Sequence, residues 1–246
     1  MDKRTKRRIL IAVLVVLAVI AGITAWYKLY RDVPQPAWIR ANQRDDFLYG
    51  SVGAETTAGM PYWIWLVLPR ICKEPMRGQQ GGYAALGRPW DQGVEMPAGF
   101  AKKTVGYVRV AGNCALCHAT SRIGPQGVPV VAVAGPGQTT DIQRLLTFFT
   151  ECAQDPHFNA DEILSEIDMA TKLSFVDRLL YRFVLIPRTR QALLDRRLML
   201  DSALRRHSRN PHAPFTQQRM QDLAAWLRAQ HQTAARPETV RTGGRN

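Results

Sequence analysis

The sequence predicts a mainly α-helical domain with long loops, preceded by one N-terminal transmembrane helix. Three observations carry this. An uncharged run of eighteen residues, Ile9 to Trp26, follows a short basic cap. Further along, capping residues stand at the head of apolar side chains that recur at helical spacing. Between those stretches the chain is rich in Gly and Pro, the composition of loops.

The cap consists of Lys3, Arg4, Lys6, Arg7 and Arg8. The eighteen residues after it cover about 27 Å as a helix, enough to cross a bilayer core. Trp26, Tyr27 and Tyr30 fall where an aromatic belt would lie, and the cap predicts a cytoplasmic N-terminus. A cleaved signal peptide ending near Ile23-Thr24-Ala25 is the rival reading, and the length of the apolar run favours an uncleaved anchor. Both readings export the remainder. The expected arrangement is a single-pass protein of a bacterial inner membrane: residues 1–8 cytoplasmic, 9–26 spanning and the rest periplasmic.

Residues 27–60, with Pro34 and Pro36, read as a linker and domain entry. Pro61-Tyr62-Trp63-Ile64-Trp65-Leu66-Val67-Leu68-Pro69 is too short for a second span and reads as a buried helix. Gly78 to Gly99 should be loop. Lys102 to Val110 predicts one short strand or extended segment. Thr140-x-x-Gln143 reads as a capping box for a helix with Ile142, Leu145, Leu146, Phe149 and Cys152 on its apolar side. Asn159-x-x-Glu162 opens a second helix, with Ile163, Leu164 and Ile167. Ser174 caps a third, with Phe175, Leu179 and Phe183 on one face, ending near Pro187. More helix follows from Arg188 to Arg205, and Thr216 caps a last one with Met220, Leu223, Ala224 and Leu227. Residues 61–233 thus form the domain, and 234–246 a flexible basic tail.

Within the domain stands Cys114-Ala115-Leu116-Cys117-His118. C-x-x-C-H is the attachment signature of a c-type haem. Two thiols three positions apart can add to the two vinyl groups on one haem edge, and His118 then lies beneath the ring as proximal iron ligand. A redox C-x-x-C pair would sit in a βαβ pattern, which does not surround it. Half of a zinc site would want a second Cys/His pair at matching spacing, which the chain does not supply. The fold expectation becomes a cytochrome c-like haem domain holding one covalent haem c on Cys114, Cys117 and His118. Arg122 could reach a propionate or be a solvated surface residue. Trp63 and Trp65 suit a haem wall or an aromatic core.

Two cysteines remain, Cys72 and Cys152. In an oxidising compartment they pair as a disulfide, or Cys152 stays a buried free thiol; the sequence leaves both open. The net charge of +13 lies at the ends. Residues 9–175 balance fourteen basic against fourteen acidic side chains, whereas 176–246 set fourteen Arg against five acids. For an exported haem protein such a tail points to anionic lipid head groups or an acidic redox partner rather than nucleic acid, or simply to a solvated helical face.

Several stretches together resemble a known family. They are Phe47-Leu48-Tyr49-Gly50-Ser51, Pro61-Tyr62-Trp63-Ile64-Trp65, Tyr83-Ala84-Ala85-Leu86-Gly87, Asn113 to His118, Asp155-Pro156-His157-Phe158 and Asp177-Arg178-Leu179-Leu180-Tyr181-Arg182. In this order they resemble the N-terminal half of bacterial di-haem cytochromes c related to rubber oxygenase and, more distantly, di-haem cytochrome c peroxidase. The likeness covers roughly residues 45–195, by motif order. This chain departs from the family in having a single C-x-x-C-H. The resemblance implies that Cys114 and Cys117 are thioether residues, that His118 is the proximal ligand, and that the haem can have an open distal side.

The sixth iron position separates the two functions the sequence allows. A Met or His there suits electron transfer. Candidates are Met60, Met76, Met96, Met169, Met199, Met220, His157, His207, His212 and His231. Met169 comes nearest the loop position of a cytochrome c ligand and His157 lies in a turn. Each is also an ordinary core or surface residue by type, and spacing does not settle the choice. The favoured reading is a membrane-anchored periplasmic monohaem cytochrome c passing electrons to a redox partner protein. The alternative is an O₂- or peroxide-activating oxidoreductase with an open iron, its distal pocket lined by aromatic residues such as Trp63 and Phe149.

Overall fold

The computed structural model describes residues 2–73, 82–124, 127, 129–133 and 140–207, the last eleven as backbone only. Contacts divide the chain into Met1–Leu198 and Met199–Asn246. Of the second unit, the described residues include only the end of one helix. The expected helix at Thr216 and the basic tail lie outside the described residues.

Helix α1 (Lys3–Leu29) buries none of its residues and is long and apolar enough to cross a membrane. Leu10, Leu14, Leu17 and Ile20 all face outward, which suits lipid as solvent. The stretch after it, where the sequence has little regular pattern, holds β1 (Asp32–Val33), α2 (Ala37–Arg40), α3 (Gln43–Tyr49), α4 (Ala54–Ala58) and β2 (Met60–Pro61). Asn42 caps α3 by accepting from the Asp45 N–H. Leu48 and Tyr49 are buried, so this segment belongs to the core.

Helix α5 (Tyr62–Ile71) is the buried apolar helix the sequence predicts. It runs through Pro69 rather than ending there. A proline at 69 leaves the Trp65 carbonyl without its helical donor. The Tyr83 hydroxyl donates to that carbonyl at 2.7 Å and replaces the missing bond. Tyr83 belongs to a 3₁₀ turn (Gly82–Leu86), and its ring stacks on Trp65 with centroids 4.2 Å apart. Trp65 is therefore core, flanked by Phe100 and, through Tyr83, by Phe148.

Lys102 to Val110 is not a single strand. It is a hairpin of β3 (Phe100–Val105) and β4 (Tyr107–Gly112), turning on Gly106 at φ 74°. Glycine carries that left-handed conformation without cost. The pair forms the middle of an antiparallel sheet ordered β1-β3-β4-β2. A one-turn helix α6 (Ala115–His118) follows, and then a second hairpin, β5 (Ala119–Ile123) with β6 (Pro129–Val133).

Helix α7 (Ile142–Cys152) is capped by Asp141, whose side chain accepts from the Arg144 N–H, and not by Thr140. The Thr140 hydroxyl is engaged elsewhere, accepting from Arg88. The buried face is Ile142, Leu145, Phe148 and Cys152, with Phe149 half-buried beside it. Helix α8 (Ala160–Ala170) starts as expected at Asn159, which accepts from the Asp161 and Glu162 N–H groups. Its Ile163, Leu164 and Ile167 are fully buried, each contributing about 2 kcal/mol. Ser174 caps α9 (Phe175–Leu180) by accepting from Asp177 N–H.

The chain does not break at Pro187. A π turn (Tyr181–Leu185) leads from α9 into α10 (Ile186–His207). Proline is tolerated in a first turn because that N–H needs no intrahelical partner. Phe175, Leu179 and Phe183 share one face, as their spacing predicts, and that face is exposed. Cys72, at the end of α5, and Cys152, at the end of α7, form a disulfide with Cα atoms 5.3 Å apart.

Candidate functional site

The motif sits on a scaffold made by the far end of the β3–β4 hairpin. Gly112 closes β4, and Asn113 makes the corner into α6. The Asn113 side chain is buried and satisfied on both sides. Its amide donates to the carbonyls of Leu48 and Gly50, and its oxygen accepts from the Ala115 N–H at 3.0 Å. One residue therefore ties the start of the motif to α3.

The single turn of α6 brings Cys114 and Cys117 to one side, with His118 next to them, as i, i+3 and i+4 spacing requires. All three side chains are exposed, and both thiols are free. Ala115 and Ala119 are fully buried, so the turn is anchored from beneath by its small residues. Above it, the β5–β6 hairpin leaves Ile123, Val130 and Val133 exposed. Reactive and apolar groups thus share an open surface beside the turn.

Two residues that the sequence does not mark hold the turn from behind. Gly99 has φ 91°, and a Cβ there would lie 2.5 Å from Leu116 N and Cα, so only glycine lets the two backbones meet. Arg88 is buried, and its guanidinium donates to the Leu116 carbonyl at 3.0 Å and to the Thr140 hydroxyl at 2.6 Å. Among the described residues its Nε and Nη2 have no hydrogen-bond partner, and its charge lies over the Phe100 ring. Burial pushes the Arg88 pKa down to about 10, with the field of Cys117 opposing, so the group stays charged at neutral pH. The Cys117 thiol is raised, mainly by partial burial. Arg88 opposes that rise and the neighbouring Cys114 adds to it.

The donor set fits a covalently held haem. Two free, exposed thiols and an imidazole stand on one turn, with the buried Arg88 guanidinium behind it. Arg122 is exposed on β5. A cavity of about 370 Å³ lies elsewhere, between Phe158–Ala160 and Ile186–Leu194, and no motif residue lines it.

The two candidates for a sixth ligand are not in the core. Met169, near the end of α8, is 71% exposed. His157 is exposed, and its Nδ1 is engaged by the Glu162 carboxylate at 2.8 Å, which raises the imidazole pKa and lowers the carboxyl. Trp63 packs edge-on against Tyr62, and Phe149 against Tyr83 and Phe148.

The spacing of the hairpin also relates the site to α1. The Gly106 N–H donates to the Arg31 carbonyl at 2.7 Å, and a Cβ on Gly106 would collide with the Leu29 backbone. The turn of the hairpin therefore abuts the exit of α1. The six residues from Gly106 to Gly112 put the motif end about 20 Å away along the strands.

No family profile, curated protein or solved structure matches the chain.

Proposed function

We propose that this chain is a membrane-anchored periplasmic c-type cytochrome, carrying one haem on Cys114 and Cys117, with His118 as proximal ligand, and transferring electrons to a partner protein. The observation that carries the reading is the division of the four cysteines. Cys72 and Cys152 are consumed in a disulfide, while Cys114 and Cys117 remain free and exposed on the turn that ends in His118. The likeness to the N-terminal half of the di-haem cytochromes supports the same roles for these three residues.

Attachment needs no oxidant. Cys114 and Cys117 would hold the group through two thioethers, and redox-neutral addition of a thiol to a vinyl group would supply each link, with the thiol proton passing to the neighbouring carbon. The bound group supplies a one-electron iron couple. The residues of the chain do the rest. Asn113 and Gly99 fix the turn, His118 presents its imidazole, and Arg88 places a positive charge behind the site.

A second reading has one observation in its favour. Met169 and His157 are both exposed, and His157 is already held by Glu162. An iron without a sixth protein ligand would suit O₂ or peroxide chemistry instead. Optical spectra of the purified protein, oxidised and reduced, with and without carbon monoxide, decide between them. A low-spin reduced spectrum that ignores carbon monoxide supports electron transfer. A carbon-monoxide-sensitive spectrum moves the oxygenase or peroxidase reading to the front. If haem stain survives denaturation in Cys114→Ala/Cys117→Ala protein, covalent attachment at these residues is refuted.

A further inference from the structure

The face formed by α9 and the π turn is apolar and, among the described residues, is not used by the core. Phe175 is 76% exposed, Phe183 67%, Val176 47% and Leu179 40%. The opposite face of the same segment is buried through Tyr181 and Leu185. The segment is therefore apolar on both sides, although only one side meets the core. Single exposed apolar side chains need no explanation, but a contiguous set of four on one face does.

The position of the face identifies what covers it. Lys28, in the last turn of α1, donates from Nζ to Asp177 Oδ1 at 2.7 Å, and both side chains are about a third or less exposed. Asp177 lies in the first turn of α9. The start of α9 is thus fixed beside the point where α1 leaves the bilayer. Trp26, Tyr27 and Tyr30 are exposed at that same level, as an aromatic belt would be. Lys172 is exposed just ahead of α9, where a cation suits anionic head groups.

We propose that α9 and the π turn lie on the outer membrane surface beside α1, with Phe175, Val176, Leu179 and Phe183 seated among lipid head groups and upper acyl chains. This rests on the membrane-spanning reading of α1. The occupant is lipid because the Lys28–Asp177 pair holds the start of α9 beside the end of the apolar, fully unburied α1. Two contacts instead of one would fix the tilt and rotation of the domain on the membrane.

The test uses the full chain in nanodiscs of phosphatidylethanolamine and phosphatidylglycerol. Photoreactive benzoylphenylalanine is introduced in turn at Leu17, Phe175, Phe183 and Ile123. The expected result is a lipid adduct at Leu17, Phe175 and Phe183, and none at Ile123, an exposed residue at the turn end of the β5–β6 hairpin. Adducts at Leu17 without any at Phe175 and Phe183 overturn the proposal while leaving the anchor intact. No lipid adduct at Leu17 overturns the anchor, and the proposal with it. Adducts from Phe175 or Phe183 to a second copy, or to residues 208–246, would mean that protein covers this face, and would also overturn it.

Discussion

The Cys72–Cys152 disulfide gives the most quantitative test of how the site is held. It joins the ends of α5 and α7 across 80 residues, and the loop it closes contains the whole of Cys114–His118. Loop-closure entropy for that length predicts about 4.5 kcal/mol of stabilisation through the unfolded chain. Spread over an unfolding entropy of about 2 cal/mol/K for each of about 180 residues, it corresponds to a Tm change of about 12 °C. The assay is thermal unfolding by circular dichroism in detergent, with and without dithiothreitol, alongside the Cys72→Ala/Cys152→Ala variant. Reduction is selective, because thioethers do not exchange with thiols. Thiol titration of the unfolded, haem-loaded protein should find no free thiol before reduction and two after. Oxidised and reduced protein melting within about 2 °C of one another would refute the entropic argument. Four thiols after reduction would refute covalent haem attachment instead.

Four further outcomes follow from single side chains. Tyr83→Phe leaves the Trp65 carbonyl without a donor beside Pro69 and should cost about 1–3 kcal/mol in urea unfolding, with the stacked rings retained. Gly99→Ala forces a side chain at φ 91° into the Leu116 backbone; a loss of about 3 kcal/mol, together with weaker covalent haem staining, is expected. Arg88→Met removes a buried charge but also the donor to the Leu116 carbonyl and the Thr140 hydroxyl, so a loss of about 1–3 kcal/mol is expected. The midpoint potential should fall, since the lost cation favoured the reduced iron. His157 should titrate by NMR above the usual imidazole range and return towards it in Glu162→Gln. The small stabilisation from this exposed pair is present below the unfolded His pKa and above the unfolded Glu pKa. It is lost as pH rises through the raised His157 value or falls through the lowered Glu162 value.

Much of the helical part was legible because the caps are local chemistry. Asn159 and Ser174 cap by reaching N–H groups two or three residues away, and that spacing is visible in the chain. Thr140 misled for a physical reason. Two residues able to cap, Thr140 and Asp141, stand side by side, and the choice between them is made by Arg88, far away in sequence, which takes the Thr140 hydroxyl. The β3–β4 hairpin was hidden because its turn rests on Gly106 alone, with no Asn-Gly or Asp-Gly signal. The motif itself was plain. Its support was not: Arg88 lies in a Gly- and Pro-rich stretch where an arginine is normally solvated, and Gly99 acts through a partner seventeen residues on. The exposed face of α9 reads as core by spacing, because periodicity reports that a face is apolar and not what it meets.

The placement of the motif bears on the function proposed for it. The β3–β4 hairpin has one end against the exit of α1, where the Gly106 N–H reaches Arg31, and the other at Asn113, which is bonded to α3 and to the motif turn. It is cross-braced by β1 and β2 on its two sides, so it acts as a strut and not as a tether. A strut about 20 Å long sets a fixed interval between the end of α1 and Cys114. The exposed thiols, His118 and the apolar tips of Ile123, Val130 and Val133 stand at that far end. For the electron carrier proposed above, partner contact is expected at the motif end of this hairpin rather than at the end that abuts α1.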